Sequence, residues 1–161
     1  MARSMHMGVF VLGTGNHIAG WRWPGAFDSF EKLSVVQAIA ATAERGRFDL
    51  LFLGDGLGAD PGAHPSFTTR LEPITMLAAL AATTAHVGLG ATASTTYSEP
   101  FTVARAFASL DHLTGGRAAW NAVTSSNPDG AANFGRAHPP HAERYRVAEE
   151  FVDVVRGLWD C

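Results

Sequence analysis

Short apolar runs alternate with longer segments of helical periodicity along this chain of 161 residues. Alternation of this kind is typical of repeated βα units around a parallel sheet. The run Leu50–Leu53 is apolar at every position, which predicts burial on both faces of the sheet. The fold class is therefore α/β with about four βα units, whose strands are expected at residues 8–12, 49–53, 87–91 and 118–123.

Each predicted strand is followed by a segment that is expected to form an amphipathic helix. The first extends from Ser29 to Arg45, with apolar residues at helical spacing and Gly46 as a stop signal. Pro73 and Pro100 suit the first positions of the second and third helices. The predicted helices are residues 29–45, 73–84, 100–114 and 141–158.

Loop lengths separate the two architectures that four βα units allow, a four-stranded open sheet and half of a (β/α)8 barrel. Long loops follow the strands, for example from Gly54 to about Arg70, whereas the connections from helix to strand are short, as at Arg45–Arg47. Barrel enzymes place their chemistry on the loops after the strands. This pattern favours the N-terminal half of a TIM barrel, with a site at the carboxyl ends of its strands.

Charge and cysteine content exclude several classes of function. The net charge is −3 and the chain has no basic run, so the electrostatic signature of a nucleic-acid binder is absent. A single cysteine, Cys161, allows no intrachain disulfide or cysteine-rich metal cluster, which favours a reducing compartment. The sequence also lacks an apolar run typical of a signal peptide or a membrane span. We therefore expect a cytoplasmic protein without nucleic-acid or membrane partners.

Polar residues near the ends of three predicted strands are candidates for ligand contacts. Asp55 follows the second strand directly, although a turn-forming aspartate is the commoner role for that residue type. Thr92 follows the third strand in a run of hydroxyl residues, where β-propensity is an equal explanation. Asn121 places an amide in an apolar strand, and burying that amide unpaired would cost about 1–3 kcal/mol. Asn121 therefore needs a hydrogen-bond partner, for which a backbone carbonyl would suffice.

The start of the last predicted helix carries two ring side chains. His141 and Tyr145 are four residues apart and share one face, and the helix N-terminus adds N–H donors and a positive dipole end. Together these groups suit a phosphate, although a surface histidine beside a packing tyrosine explains the same pattern equally well. His138 and His141 have a spacing that could bind a metal, but two prolines separate them and no third ligand lies nearby. We predict no metal site.

The loop after the first strand contains two weaker patterns. Gly13, Gly15 and Gly20 resemble a dinucleotide-binding loop, but the later glycines are too far apart and no helical pattern follows directly. Trp21 and Trp23 could form a substrate wall. We expect them instead to anchor the loop by packing under the rim of the barrel.

Seven longer strings are specific enough to indicate a family. They are GTGNHIAGWRW (13–23), TAERGRFDLLFLGD (42–55), ATASTTYSEP (91–100), FASLDHLTGGR (107–117), WNAVTSSNP (120–128), NFGR (133–136) and ERYRVAEEFVDVVRGLW (143–159). With these strings the chain resembles, over nearly its whole length, the nitrilotriacetate monooxygenase group of two-component, FMN-dependent monooxygenases. That group is part of the bacterial-luciferase-like superfamily.

The resemblance implies a luciferase-like TIM barrel that binds reduced FMN, supplied by a separate NAD(P)H-dependent flavin reductase. Such a flavoprotein uses molecular oxygen to oxygenate a small organic substrate. The family motif implies that four positions contact FMN and that two more are additional candidates. The four are Asp55, Thr92, His141 and Tyr145, and the additional two are Asn121 and His17.

The chain also departs from the family pattern. Family members are more than twice as long, which implies that residues 1–161 form a single partial domain, the N-terminal half of the barrel, truncated at the C-terminus. Half a barrel has open edges at its first and fourth strands, so we expect self-association and a homo-oligomer. Gly54 stands where alanine is commoner in the family, and the loop after Asp55 is shorter than usual.

Two other functions are open alternatives to the monooxygenase. A non-catalytic remnant that persists as a folded, self-associating module is the stronger of the two. A metal-dependent barrel hydrolase is the weaker, because the His-x-His pattern expected after the first strand of such an enzyme is absent from this sequence.

Overall fold

A computed structural model of the chain describes residues 5–13, 15, 17, 19–26, 31–59 and 70–161. Its sheet has four parallel strands that pair in sequence order, so each strand lies beside the next along the chain. The strands are β1 (Gly8–Val11), β2 (Leu50–Leu53), β3 (Gly88–Ser94) and β4 (Ala118–Val123). This arrangement confirms the predicted α/β fold.

The helices of the described residues are α1 (Leu33–Arg45), α2 (Pro73–Ala81), α3 (Pro100–Thr114) and α4 (His141–Trp159). A short 3-10 helix, Pro128–Phe134, lies between β4 and α4. The Glu72 carboxylate accepts hydrogen bonds from the first backbone N–H groups of α2. Gly115 ends α3 in the left-handed conformation, with φ at 67°.

Two helix boundaries differ from the predicted ones. Helix α1 begins at Leu33 rather than Ser29, because the extended backbone of Lys32 makes Lys32 the N-cap; Ser29 itself lies outside the described residues. Helix α2 ends before the predicted Thr84, whose hydroxyl instead donates to the Leu80 carbonyl over 2.9 Å. Hydroxyl side chains compete with backbone N–H groups for such carbonyl acceptors. The helical spacing of the sequence therefore continues to Thr84, whereas the helix itself ends at Ala81.

Strand β3 continues to Ser94 instead of ending at the predicted Ala91. The extension occurs because β4 supplies pairing partners up to Val123, which lies opposite Ser94. A polar strand end is thereby carried into the sheet, and Thr92 becomes a buried sheet residue instead of a loop residue.

The core lies between one face of the sheet and the helices. Leu51 and Leu53 of β2 point to this face and are buried in it. The prediction that β2 is buried on both faces is wrong, because Leu50 and Phe52 are only half-buried. Phe10 packs against Phe52 with 5.0 Å between ring centroids, and Phe10 is itself 44% exposed. The second face of the sheet is thus only partly covered by the described residues.

Charged side chains bind backbone groups at the amino ends of the strands. Glu44, near the end of α1, accepts hydrogen bonds from the three backbone N–H groups of residues 85–87, over 2.8, 2.6 and 3.1 Å. Arg117 donates to the carbonyls of Thr84 and Val87 over 3.0 and 2.7 Å. These bonds hold the short helix-to-strand connections, so the long loops are left at the other end of the sheet. Within the described part of the chain, every helix is too short or too polar to cross a membrane.

Candidate functional site

A cleft of about 470 Å³ opens at the carboxyl ends of the strands. The carboxyl ends of parallel strands lie at one edge of a sheet, so the loops after β2, β3 and β4 meet there. The walls of the cleft are Asp55–Gly58 after β2, Thr92 and Ser94 of β3, Ala122 and Val123 of β4, residues 124–127 and Gly130 after β4, and Tyr145 of α4. Three of the six predicted site residues, Asp55, Thr92 and Tyr145, therefore line one cleft.

Thr92 and Asn121 form a polar pair on neighbouring strands. The two residues are opposite each other in the β3–β4 register, and the Asn121 amide donates to the Thr92 hydroxyl over 3.1 Å. Thr92 is buried, whereas Asn121 is exposed on the edge strand. Because Asn121 is exposed, the expected cost of burying its amide does not arise. Its amide bonds the Thr92 side chain instead of a backbone carbonyl, and Thr92 lines the cleft.

Asp55 lies in the loop that leaves β2, and its carboxylate accepts a hydrogen bond from the Gly56 N–H over 2.8 Å. Burial raises the pKa of the Asp55 carboxyl above its ordinary value, opposed by the Gly56 N–H. The nearby Glu72 raises this pKa further, while Arg70 lowers it. A carboxyl in this environment holds its proton to higher pH than a free aspartate, so it is suited to exchange a hydrogen bond with a polar ligand.

His141 and Tyr145 lie in the first turns of α4, with 4.7 Å between their ring centroids. The predicted shared face is therefore present. Both side chains are exposed, Tyr145 by 55%. Tyr145 lines the cleft, whereas His141 does not. The two rings and the N-terminus of α4 place several hydrogen-bond donors close together, and Tyr145 connects this group to the cleft.

His17 is not part of this cleft. It lies in a separate depression formed by the loop after β1, where its Nδ1 accepts a hydrogen bond from the Ala19 N–H over 3.1 Å. The prediction that Trp21 and Trp23 anchor this loop under the rim is wrong, because they are 42% and 76% exposed. The Arg22 guanidinium covers the Trp21 ring at 4.7 Å instead, so the pair of tryptophans remains at the surface.

A buried network that the sequence analysis missed supports the start of α4. The Tyr97 hydroxyl lies 2.7 Å from His138 Nδ1, and the Arg144 guanidinium bonds His138 Nε2 on the other side. Tyr97 and Arg144 are both at least nine-tenths buried. From the sequence, His138 was a candidate only for binding a metal, whereas in the structure its two ring nitrogens bond Tyr97 and Arg144. No group of three or more potential metal ligands occurs among the described residues.

The loop after β2 contacts the 3-10 helix across the mouth of the cleft. A Cβ atom on Gly58 would lie 2.8 Å from the Gly130 nitrogen, so only glycine fits at this distance. The Asn133 amide donates to the Leu57 carbonyl over 2.8 Å and holds the same contact. Gly54 differs from Gly58, because a Cβ added at Gly54 would lie 2.9 Å from the outer edge of the Phe10 ring, a partly exposed side chain that can shift to admit it.

Comparison with known proteins identifies the family of this chain. The family model for luciferase-like monooxygenases matches residues 5–160. The N-acetyl-S-(2-succino)cysteine monooxygenase of Bacillus subtilis is 55% identical over 98% of this chain and 36% of the relative. Nitrilotriacetate monooxygenase component A of Aminobacter aminovorans is 46% identical over 98% of this chain and 38% of the relative. The chain thus spans less than two fifths of the length of these relatives.

Solved structures of two proteins also match nearly the whole of this chain with less than two fifths of their own length. The EDTA monooxygenase from Chelativorans sp. BNC1 superposes with a TM-score of 0.91 and 38% identity, over 98% of this chain and 37% of that protein. A riboflavin lyase, solved with a modified FMN and riboflavin, superposes with a TM-score of 0.87 and 34% identity, over 98% of this chain and 38% of that protein. The four βα units are therefore the N-terminal part of a TIM barrel. The chain belongs to the luciferase-like monooxygenase family.

Proposed function

We propose that this chain contributes the N-terminal half of the FMN site in a two-component, flavin-dependent monooxygenase. The observation that supports this proposal best is the meeting of Asp55, Thr92 and Tyr145 at one cleft, beside the N-terminus of α4. Site residues at the carboxyl ends of barrel strands are the expected position for catalysis in this fold. In this proposal, residues 1–161 are one partial domain.

The donor set of the cleft fits FMN. A phosphate requires N–H and O–H donors, and His141 and Tyr145 at the start of α4 supply such donors. The carboxylate of Glu143 in the same turn accepts hydrogen bonds from Arg146. A flavin ring has both donors and acceptors at its polar edge, which suits the Thr92–Asn121 pair and the Asp55 carboxyl. His17 lies in a different depression and is a weaker candidate for the same ligand.

Bound reduced FMN supplies the reaction with molecular oxygen, and the chain's own residues bind, orient and shield it. Thr92 is buried and bonded to Asn121, so its hydroxyl is held in place before any ligand arrives. Gly58 and Gly130 lie in close contact and both line the cleft, so the loop after β2 and the 3-10 helix form one wall of it. The substrate is proposed to be a small organic molecule, with oxygen as the co-substrate.

Flavin titration tests the phosphate assignment. The 161-residue chain carries only part of the pocket, so we expect weak FMN binding, measurable by NMR titration at millimolar concentration. Replacing His141 with Ala and Tyr145 with Phe together should weaken FMN binding about tenfold or more, because charge-assisted hydrogen bonds to phosphate are lost. His112→Ala, an exposed histidine on α3, is the control and should leave the affinity unchanged. Equal FMN binding by the double variant would show that the phosphate lies elsewhere.

A chimera tests the activity. In it, the chain replaces the matching part of the Bacillus subtilis relative, which then supplies the rest of the barrel. Oxygen consumption is expected only when a flavin reductase and NADH provide reduced FMN, because no nicotinamide-binding pattern occurs in this sequence. Direct oxidation of NADH by the chimera without a reductase would contradict the two-component proposal.

A non-catalytic, self-associating module is the second candidate. It is favoured by the edge positions of β1 and β4 and by the 44% exposure of Phe10 on the face of the sheet that the described residues cover only in part. The chimera separates the two candidates, because a degenerate site would restore neither flavin binding nor oxygen consumption.

A further inference from the structure

Arg144 is a charged residue that the fold buries without an acidic partner. It lies close to the start of α4 and is only 7% exposed. Its guanidinium donates to His138 Nε2 and to the Pro139 carbonyl, and both acceptors are neutral. None of the ion pairs among the described residues includes Arg144, and the adjacent carboxylate of Glu143 bonds Arg146 instead. The charge of Arg144 is therefore uncompensated within the described part of the chain.

One donor atom of Arg144 also lacks an acceptor. Its Nε is buried and forms no hydrogen bond with the residues that the structure describes. Buried charges in proteins are normally paired, and a buried donor without an acceptor costs free energy. Arginine keeps its proton in proteins, so Arg144 does not escape this cost by becoming neutral. Negative charge brought close to Arg144 would lower the cost of burying it.

The position of Arg144 within α4 adds to this imbalance of charge. The N-terminus of a helix carries a positive partial charge, which favours anions and disfavours cations there. Helix α4 has 19 residues and begins at His141, three residues before Arg144, so these two residues are neighbours on the helix. Arg144 is buried, whereas His141 and Tyr145 are exposed. Arg144 thus adds a full positive charge beneath the end of α4 that presents these two rings.

A second guanidinium lies in the same network. His138 links Arg144 to Tyr97, whose hydroxyl lies 2.7 Å from His138 Nδ1. The Arg136 guanidinium covers the Tyr97 ring at 5.3 Å and donates to the Thr96 carbonyl over 3.0 Å. Arg136 is also absent from the ion pairs that the described residues form. The network therefore contains two cations whose recorded acceptors are all uncharged.

We propose that the buried charge of Arg144 attracts the phosphate of FMN to the start of α4. Arg144 does not line the cleft, so it acts through its charge on the phosphate and not by contact with the flavin. A buried charge is screened less by water and salt than a surface charge, so its attraction reaches further. This inference rests on the proposed phosphate site at His141 and Tyr145. Riboflavin is the natural comparison, because it has the same ring system as FMN without the phosphate.

Arg144→Gln and Arg144→Lys separate the charge from the hydrogen bonds. Both keep an N–H donor for His138, but only lysine keeps the charge. Arg144→Gln should weaken binding of FMN and of inorganic phosphate about tenfold, and should change riboflavin binding by less than about twofold, because only the phosphate feels the lost charge. Arg144→Lys should bind FMN within about threefold of the unsubstituted chain. The measurements are amide NMR shifts of the full 161-residue chain, with the two flavins at one sub-saturating concentration.

Arg156→Gln is the matched control, because it removes the same charge from the exposed last turn of α4. It should leave the affinity for all three ligands unchanged. Unchanged FMN binding by Arg144→Gln, an equal loss of riboflavin binding in that variant, or an equally large loss of FMN binding in Arg144→Lys would each overturn the inference while leaving the flavin site standing. Failure of the unsubstituted chain to bind FMN and phosphate at amides 141–145 would instead refute the phosphate assignment and this inference together.

Discussion

Replacing Glu44 with Ala should lower the stability of the chain without changing its affinity for flavin. The Glu44 carboxylate accepts hydrogen bonds from the backbone N–H groups of residues 85–87, which begin the turn into β3. Removing it leaves three N–H groups at this end of the sheet without their acceptor. The cleft lies at the other end, so binding and stability are expected to respond to different residues.

The magnitude follows from the number and exposure of these bonds. An ordinary hydrogen bond contributes about 0.5–1.5 kcal/mol, and a charged acceptor increases that value. Two of the three bonds are exposed, so water replaces part of what is lost. We therefore expect Glu44→Ala to cost about 2 kcal/mol in total, or a Tm lower by about 4–8 °C for a chain of this size. Glu44→Gln keeps an acceptor oxygen but no charge, and should lie about halfway between.

The pH dependence gives an independent check. The His86 N–H, opposed by burial and helped by the N–H groups of Val87 and Ala85, holds the pKa of Glu44 below its ordinary value of 4.5. An acid with a lowered folded pKa contributes stability that is present above the unfolded pKa and lost as the pH falls through the folded one. The Tm difference between the chain and Glu44→Gln should thus be constant above about pH 5 and shrink below pH 4.5.

Thermal melts followed by circular dichroism, at one protein concentration, measure the Tm values, and amide hydrogen exchange reports on residues 85–87 directly. Exchange at these amides should become faster in Glu44→Ala than in Glu44→Gln. The reasoning is refuted if Glu44→Ala melts at the same temperature as the unsubstituted chain and its amides 85–87 remain equally protected.

Three further predictions concern the cleft, the network beneath it and the sheet edges. Gly58→Ala should destabilise the chain by about 1–3 kcal/mol, because the added Cβ would lie 2.8 Å from the Gly130 nitrogen. Gly157→Ala in α4 is the control: its Cβ would meet no atom within 4 Å, so it should stabilise the chain by about 0.5–1 kcal/mol. Equal Tm values for the two variants would contradict this prediction. The Arg144 guanidinium can only donate hydrogen bonds, so His138 must accept at Nε2 and carry its proton on Nδ1. Nitrogen NMR should detect this His138 tautomer in the unsubstituted chain. In Arg144→Met, His138 should no longer prefer it. Sedimentation velocity across a micromolar series should detect self-association through the edges at β1 and β4, and a monodisperse, cooperatively melting monomer of 17.1 kDa would contradict it.

Local chemistry made most of the fold predictable from the sequence. Apolar runs and helical periodicity predicted all four strands and the helices after them within a few residues, because burial imposes these periods on every βα unit. The boundaries that failed depended on partners distant in sequence. Strand β3 reaches Ser94 because β4 pairs with it up to Val123. Residues 92–94 by themselves do not predict that pairing.

Candidate site residues were predictable where position after a strand was enough. Asp55 follows β2, and Thr92 lies near the carboxyl end of the neighbouring strand β3, so the parallel topology brings them to one edge. Tyr145 joins them because α4 returns over the same end. His17 also follows a strand, but its loop folds into a depression of its own, and only the tertiary structure could reveal that separation.

The sequence by itself determined the βα order, the polar strand ends and the family, because each of these is recorded in residues close together in the chain. Only the tertiary structure determined which hydroxyl groups form hydrogen bonds with each other. Ser94 and Ser125 are 31 residues apart, and only the pairing of β3 with β4 brings their oxygens to 2.7 Å. Ser94 Oγ also accepts hydrogen bonds from the Thr96 and Tyr97 N–H groups, which only the folded turn after β3 brings to it. Side-chain orientation is set by such long-range packing, to which periodicity and composition are insensitive.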